Sequence, residues 1–222
     1  MLSEGNKHVV LDTETKNLGS DIMRDNERLL TIQLGNSTKQ ELYYHDSRNS
    51  KLTLEMGKKR IESLLSQNVT FIGYYLKGFD ILMLKNFMEI EIPLSRVLEL
   101  TETTTIKELH KRDKNWKMEH ACRECGIEVS HKNKMDELAK KYRTKPEIMK
   151  RASAEAEENT KKKGGTFQWW YEKMLSKLAG GHAIWEAYLE FVESGGRKDA
   201  FFYEYAIGDV ISEYHLLKKL GY

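Results

Sequence analysis

Four acidic residues and one tyrosine, spread over nearly the whole chain, are the side chains best suited to chemistry. Asp12 and Glu14 occur in HVVLDTET, Asp80 in FIGYYLKGFDILML, and Tyr205 and Asp209 in FFYEYAIGDVISEYHLL. Carboxylate oxygens are the preferred ligands of hard divalent cations such as Mg²⁺ or Mn²⁺. Two such ions, about 3.5–4 Å apart, can stabilise both the attacking and the leaving oxygen of an in-line displacement at phosphorus. A tyrosine hydroxyl beside them can orient the attacking water. The set therefore predicts a site for two Mg²⁺ or Mn²⁺ ions and the hydrolysis of a phosphodiester. Each residue alone has a plainer use: Asp80 as a helix N-cap, Asp209 as a solvent-facing acid, Tyr205 as core. Their order and local context together argue for the site.

The elements that must position these residues can be read from the apolar pattern. Residues 8–14 form a strand whose run Val9, Val10, Leu11 suits burial on both faces. Acids are depleted in strands, so Asp12 and Glu14 at its end need a reason, and alternation points both to one side. Further strands are predicted at 28–36 and 40–45, an antiparallel meander with turn signals at Asp25-Asn26 and Asn36-Ser37. A helix at 54–67, a strand at 69–75, a helix at 80–89 and a strand at 96–100 follow, then helical segments to Gly126. Asp80 thus follows a strand and opens a helix, beyond the carboxyl end of the sheet, where open α/β sheets bind ligands. Tyr205 and Asp209 are four apart on a closing helix that turns Val210, Tyr214 and Leu217 inward. Strands first and alternating elements afterwards predict an α/β fold, a ribonuclease H-like mixed sheet with flanking helices.

VVLDTET, GYYLKGFDILML and YEYAIGD resemble the three motifs of the DEDD 3′–5′ exonucleases. The Tyr-x-x-x-Asp form of the third places the resemblance in the tyrosine subgroup. In the second, Gly73, Tyr74, Phe79 and Asp80 match the spacing of the proofreading domains of family-B DNA polymerases, with Tyr75 where that family has an asparagine that helps to hold the substrate strand. The resemblance implies that Asp12, Glu14 and Asp209 hold the catalytic ion, that Asp12 bridges to a second ion reached by Asp80, and that Tyr205 holds the nucleophilic water. It also implies a substrate strand near Tyr75 and Phe79, single-stranded DNA 3′ ends as substrate, and a polymerase or other replication or repair protein as partner. Two other readings stand beside it: an RNA-trimming exonuclease on the same scaffold, and a non-catalytic nucleic-acid-binding adaptor.

The 222 residues suit one domain, and a net charge of +2 with a mean hydropathy of −0.63 describes a heavily charged surface without a global basic excess. No apolar run approaches the length of a membrane span, and two cysteines without a signal peptide suggest a cytoplasmic protein. Cys122, Cys125 and His120 have no second ligand pair at zinc-finger spacing, and the apolar side of their helix predicts core packing. Residues 130–197 change character: they read as a helical insertion before the closing helix. Within it, residues 130–165 hold eleven Lys/Arg against six Asp/Glu, followed by FQWWYEK. Lys161, Lys162 and Lys163 next to Trp169 and Trp170 could track phosphates and stack bases of a single strand; the alternative is a solvated face beside a hydrophobic anchor.

Overall fold

A computed structural model describes residues 8–16, 29–45 and 52–222. Among them, β1 (His8–Thr15), β2 (Leu29–Gly35), β3 (Gln40–Tyr44), β4 (Thr70–Gly73) and β5 (Val97–Glu99) form one mixed sheet in the order β3-β2-β1-β4-β5. β1 is antiparallel to β2 and parallel to β4, and β4 is parallel to β5. The helices are α1 (Leu54–Ser66), α2 (Asp80–Met88), α3 (Thr104–Asp113), α4 (Met118–Glu124), α5 (His131–Arg143), α6 (Pro146–Lys163), α7 (Phe167–Glu193) and α8 (Phe201–Lys219). None of the described helices is long and apolar enough to cross a membrane.

Side-chain alternation divides the core into two layers. Val9 and Leu11 join Ile32, Phe71 and the apolar sides of α1 and α2. Val10 and Ile72 join α3, α4 and the Val210, Leu216 and Leu217 side of α8. β1 is covered on both faces, which explains its unbroken apolar run. Asp12 and Glu14 share the parity of Val10 and so belong to the α8 face. Locally, Thr53 caps α1 by accepting the Met56 N–H at 3.3 Å, a contact worth about 1 kcal/mol. Asn36 Oδ1 closes the β2–β3 turn by accepting the N–H groups of Thr38 and Lys39 at 2.8 and 2.9 Å. The Asp25-Asn26 turn signal lies outside the described residues.

Three expected boundaries move. β4 ends at Gly73 because the chain turns sharply at Tyr75, which takes a left-handed φ of 65°. β5 is shorter than expected, flanked by single helical turns at 94–96 and 100–102. α8 begins one turn before Tyr205, at Phe201.

The insertion is helical, as expected, and its halves have different roles. α6 and the first half of α7 form a hairpin with its own small core of Ile148, Ala152, Ala156, Trp170, Met174, Leu175 and Leu178. The second half of α7, through Ala183, Ala187, Tyr188 and Phe191, and α5, through Met135, pack with Leu30, Leu42, Tyr44 and Phe202. α5 is thereby laid against α8, next to the carboxyl end of β1.

Candidate metal centre

β1 delivers Asp12 and Glu14 from one face, and α8 crosses that face with Asp209 turned inward. One carboxylate oxygen from each of the three lies within 4.8 Å of the other two. Asp80 stands outside this group of three. Its Oδ1 accepts the Thr13 hydroxyl at 2.6 Å, tying the start of α2 to β1 between the two strand acids. Tyr205, one helical turn before Asp209, is buried at the same place. Behind the acids on the β1–β2 ladder, Asp12 faces Gln33 and Glu14 faces Thr31, and Gln33 Nε2 donates to Thr31 Oγ1 at 3.0 Å. These four positions make a polar strip within an otherwise apolar sheet.

Burial dominates the electrostatics. It pushes Asp12 well above the usual carboxylate range, with the charges of Asp80, Glu213, Glu14 and Asp209 adding to the effect. Glu14 is raised to about 8 by burial and then by Asp209, against the pull of Lys132. Asp80 is raised to about 7 by burial, although the Thr13 hydroxyl and backbone N–H groups favour its charged form. Asp209 goes the other way. Burial would raise it, but Lys132 and His131 outweigh burial and hold it below its ordinary value. Burial and then Glu14 raise the Tyr205 phenol well above its ordinary value, so it keeps its proton.

Three residues of this site were missed in the sequence. His131 Nε2 lies 2.9 Å from Asp209 Oδ1, and Lys132 Nζ lies 3.0 Å from Asp209 Oδ2 and 3.1 Å from Glu119. Both belong to the first turn of α5, nearly eighty residues from Asp209, and no local pattern links them to it. Gly208 makes the approach possible: a Cβ there would lie 2.3 Å from the His131 ring. The third is Glu213, 4% exposed, one turn beyond Asp209. The spacing 205, 209, 213 was visible, but a further acid in a chain so rich in charge carries little signal alone.

The donor set fits a hard divalent cation. It is all oxygen and chiefly carboxyl, and Asp12 Oδ2 is buried without a hydrogen-bond partner. Asp12, Glu14 and Asp209 could hold such an ion, whose charge would favour the ionised forms of Asp12 and Glu14 that burial and neighbouring acids disfavour.

The strand-binding candidates separate. Tyr75 is 44% exposed, and its ring lies 6.5 Å from that of Trp116, 51% exposed, which rests on His110 at 3.9 Å. Phe79 is half-buried at the start of α2. Trp170 is an anchor rather than a free stacking ring: it is buried in the α6–α7 hairpin and its Nε1 donates to Gly164 O at 2.7 Å. Trp169 is exposed beside it, with Lys173 Nζ 4.8 Å from its ring centre. Adjacent helical residues cannot share a face, which accounts for the split. Lys161, Lys162 and Lys163 are exposed on the last turn of α6, and Lys162 pairs with Glu158. They sit at the hairpin end that Trp170 closes, about 25 Å along α7 from the Ala187–Phe191 stretch that meets the sheet layer.

Cys122 is fully buried in the core and Cys125 partly so, and burial pushes the Cys122 thiol up to about 12. His120 is engaged with Asp113 at 2.8 Å. Core packing accounts for the burial of this segment. No protein-family model, curated protein or solved structure matches the chain.

Proposed function

We propose that this chain is a metal-dependent 3′–5′ exonuclease of ribonuclease H-like fold, acting on the 3′ end of single-stranded DNA or of a frayed duplex and releasing nucleoside 5′-monophosphates. The observation that carries the reading is the convergence of Asp12, Glu14 and Asp209, from a strand and a helix almost two hundred residues apart, to within 4.8 Å. An antiparallel β3-β2-β1 half continued by parallel β4 and β5 supports the fold assignment. The polarity of cleavage rests on the resemblance of the three motifs to the DEDD exonucleases.

Asp12, Glu14 and Asp209 would hold one Mg²⁺ or Mn²⁺ ion, and Asp12 with Asp80 a second. When bound, the pair supplies an activated water and positive charge at the scissile phosphate. Tyr205 keeps its proton and lies beside Asp209, so its hydroxyl can orient that water without adding charge. Lys132 and His131 hold Asp209 ionised and fix both of its oxygens. Thr13 fixes one oxygen of Asp80 through its hydroxyl. Tyr75 and Trp116 offer exposed rings beside the end of β4, suited to stacking a nucleobase of a single strand.

Labelled oligonucleotides test this reading. With Mg²⁺ or Mn²⁺, 5′-labelled single-stranded DNA should shorten as a ladder, while a 3′ label should leave at once as a mononucleotide. A chelator or Asp12→Ala should stop both. A preference for RNA would move the substrate to RNA trimming on the same scaffold. Strand binding without cation-dependent cleavage would make the chain an adaptor and refute the proposal.

A further inference from the structure

Glu213 has an environment that a merely structural acid does not need. Glu213 Oε1 accepts the Tyr74 N–H at 3.2 Å, just past the end of β4. Its other oxygen, Oε2, is buried with no hydrogen-bond partner, as is Asp12 Oδ2. A buried carboxylate oxygen without a donor carries a desolvation cost that accepting the Tyr74 N–H does not require. Glu213 also feels the charges of Asp80 and Asp209, and Asp12 feels those of Asp80 and Glu213. The helical spacing of 205, 209 and 213 puts Tyr205, Asp209 and Glu213 on one stripe of α8 facing the sheet. The anchors of the side chains are distinct: Asp80 is fixed through Thr13 and Glu213 through Tyr74, at the carboxyl ends of the neighbouring strands β1 and β4.

We infer that Glu213 is a fifth acid of the centre and a ligand, directly or through water, of a second divalent cation seated between Asp12, Asp80 and Glu213. The inference rests on the two-cation reading above and goes beyond it by completing the poorer of the two seats. Asp12, Glu14 and Asp209 make the first seat, with Lys132 alongside. The second would otherwise have only Asp80 and a shared Asp12. Glu213 gives it a third carboxylate, with an oxygen already stripped of water and of protein donors.

Direct titration of Mn²⁺ into the metal-stripped full-length chain, followed by calorimetry and by the electron paramagnetic resonance of free Mn²⁺, tests the assignment without using activity. The wild type should bind two ions. Glu213→Gln keeps an oxygen for the Tyr74 N–H and removes only the charge. It should weaken one binding event by about 10–100-fold, the range for residues that tune a metal site from close by. The other event should be unchanged, and Asp80→Asn should weaken the same one. In chelator at pH 8, Glu213→Gln should melt no lower than the wild type, since a like charge has been removed. Glu213→Asp, which keeps the charge but withdraws it by one methylene, should also weaken that event and serves if the amide variant fails to fold. Two unchanged events in Glu213→Gln would overturn the inference and leave Glu213 as an acceptor for Tyr74. Equal weakening of both would overturn it as a general charge effect. A wild type that binds no Mn²⁺ would remove the two-cation reading as well. A wild type that binds two ions yet cleaves nothing would remove the exonuclease reading alone.

Discussion

Replacing Glu14 by Gln should stabilise the metal-free protein, and the gain should grow with pH. Burial and the neighbouring Asp209 charge move Glu14 from an ordinary 4.5 to about 8 in the folded chain. In the unfolded chain it titrates near 4.5. Between these values the folded state carries a proton that the unfolded state lacks, so stability present below pH 4.5 is lost as pH rises toward 8. At about 1.36 kcal/mol for each unit of pKa, the whole rise corresponds to about 5 kcal/mol. That is a ceiling for one substitution, because Asp12 and Asp80 compete for the same protons and the titration belongs to the cluster. For a chain of this size 1 kcal/mol moves the melting temperature by about 2–4 °C, so the ceiling is about 10–20 °C. The assay is thermal unfolding of both proteins in chelator from pH 4.5 to 9. The two should coincide near pH 4.5, diverge with rising pH, and run parallel above pH 8. Adding Mn²⁺ should narrow the gap at pH 8, since an ion at a hundred times its dissociation constant stabilises by about 2.7 kcal/mol and Glu14→Gln binds it less well. A difference between the two proteins that is constant with pH would refute the reasoning, because a group charged in both states cannot link folding to protons.

Asp209→Ala should abolish cation-dependent cleavage, whereas Tyr205→Phe, which removes an orienting hydroxyl and no metal ligand, should slow single-turnover cleavage by about 10²–10⁴-fold. Complete loss in both would make Tyr205 structural. Gly208→Ala should drive the His131 ring away from Asp209, since its Cβ would lie 2.3 Å from that ring, with a loss of about 1–3 kcal/mol in denaturant unfolding; wild-type stability would mean that α5 is not held there. Tyr75→Ala and Trp116→Ala should each weaken binding of a single-stranded oligonucleotide by about 1–3 kcal/mol in fluorescence anisotropy, with the melting temperature unchanged. A lower melting temperature without a binding loss would assign these rings to packing.

Much of the scaffold was written locally. The run Val9-Val10-Leu11 marked a strand covered on both faces, and its parity put Asp12 and Glu14 on one side of the sheet. The four-residue step from Tyr205 to Asp209 put both on one stripe of a helix. Adjacent tryptophans cannot share one face of a helix, so the pair had to divide. The buried ring proved to be Trp170, because the α6 hairpin lies on its side. These readings succeed because strand and helix periodicities act over a few residues and need no knowledge of distant partners.

The tertiary structure decided everything that depends on which elements meet. The histidine and lysine that hold Asp209 come from α5, and nothing near residue 131 signals that its helix docks against α8 at a glycine without a Cβ in the way. Glu213 acquires its meaning from the Tyr74 N–H, 139 residues away in sequence, and from the burial of its second oxygen. Nor could composition foresee that Asp209 is held low while Glu14, the same kind of group a few ångströms away, rises to about 8. A sequence determines which side chains a strand or helix presents. Their protonation and their capacity to bind a cation are set by desolvation and by charges brought close only when the chain folds.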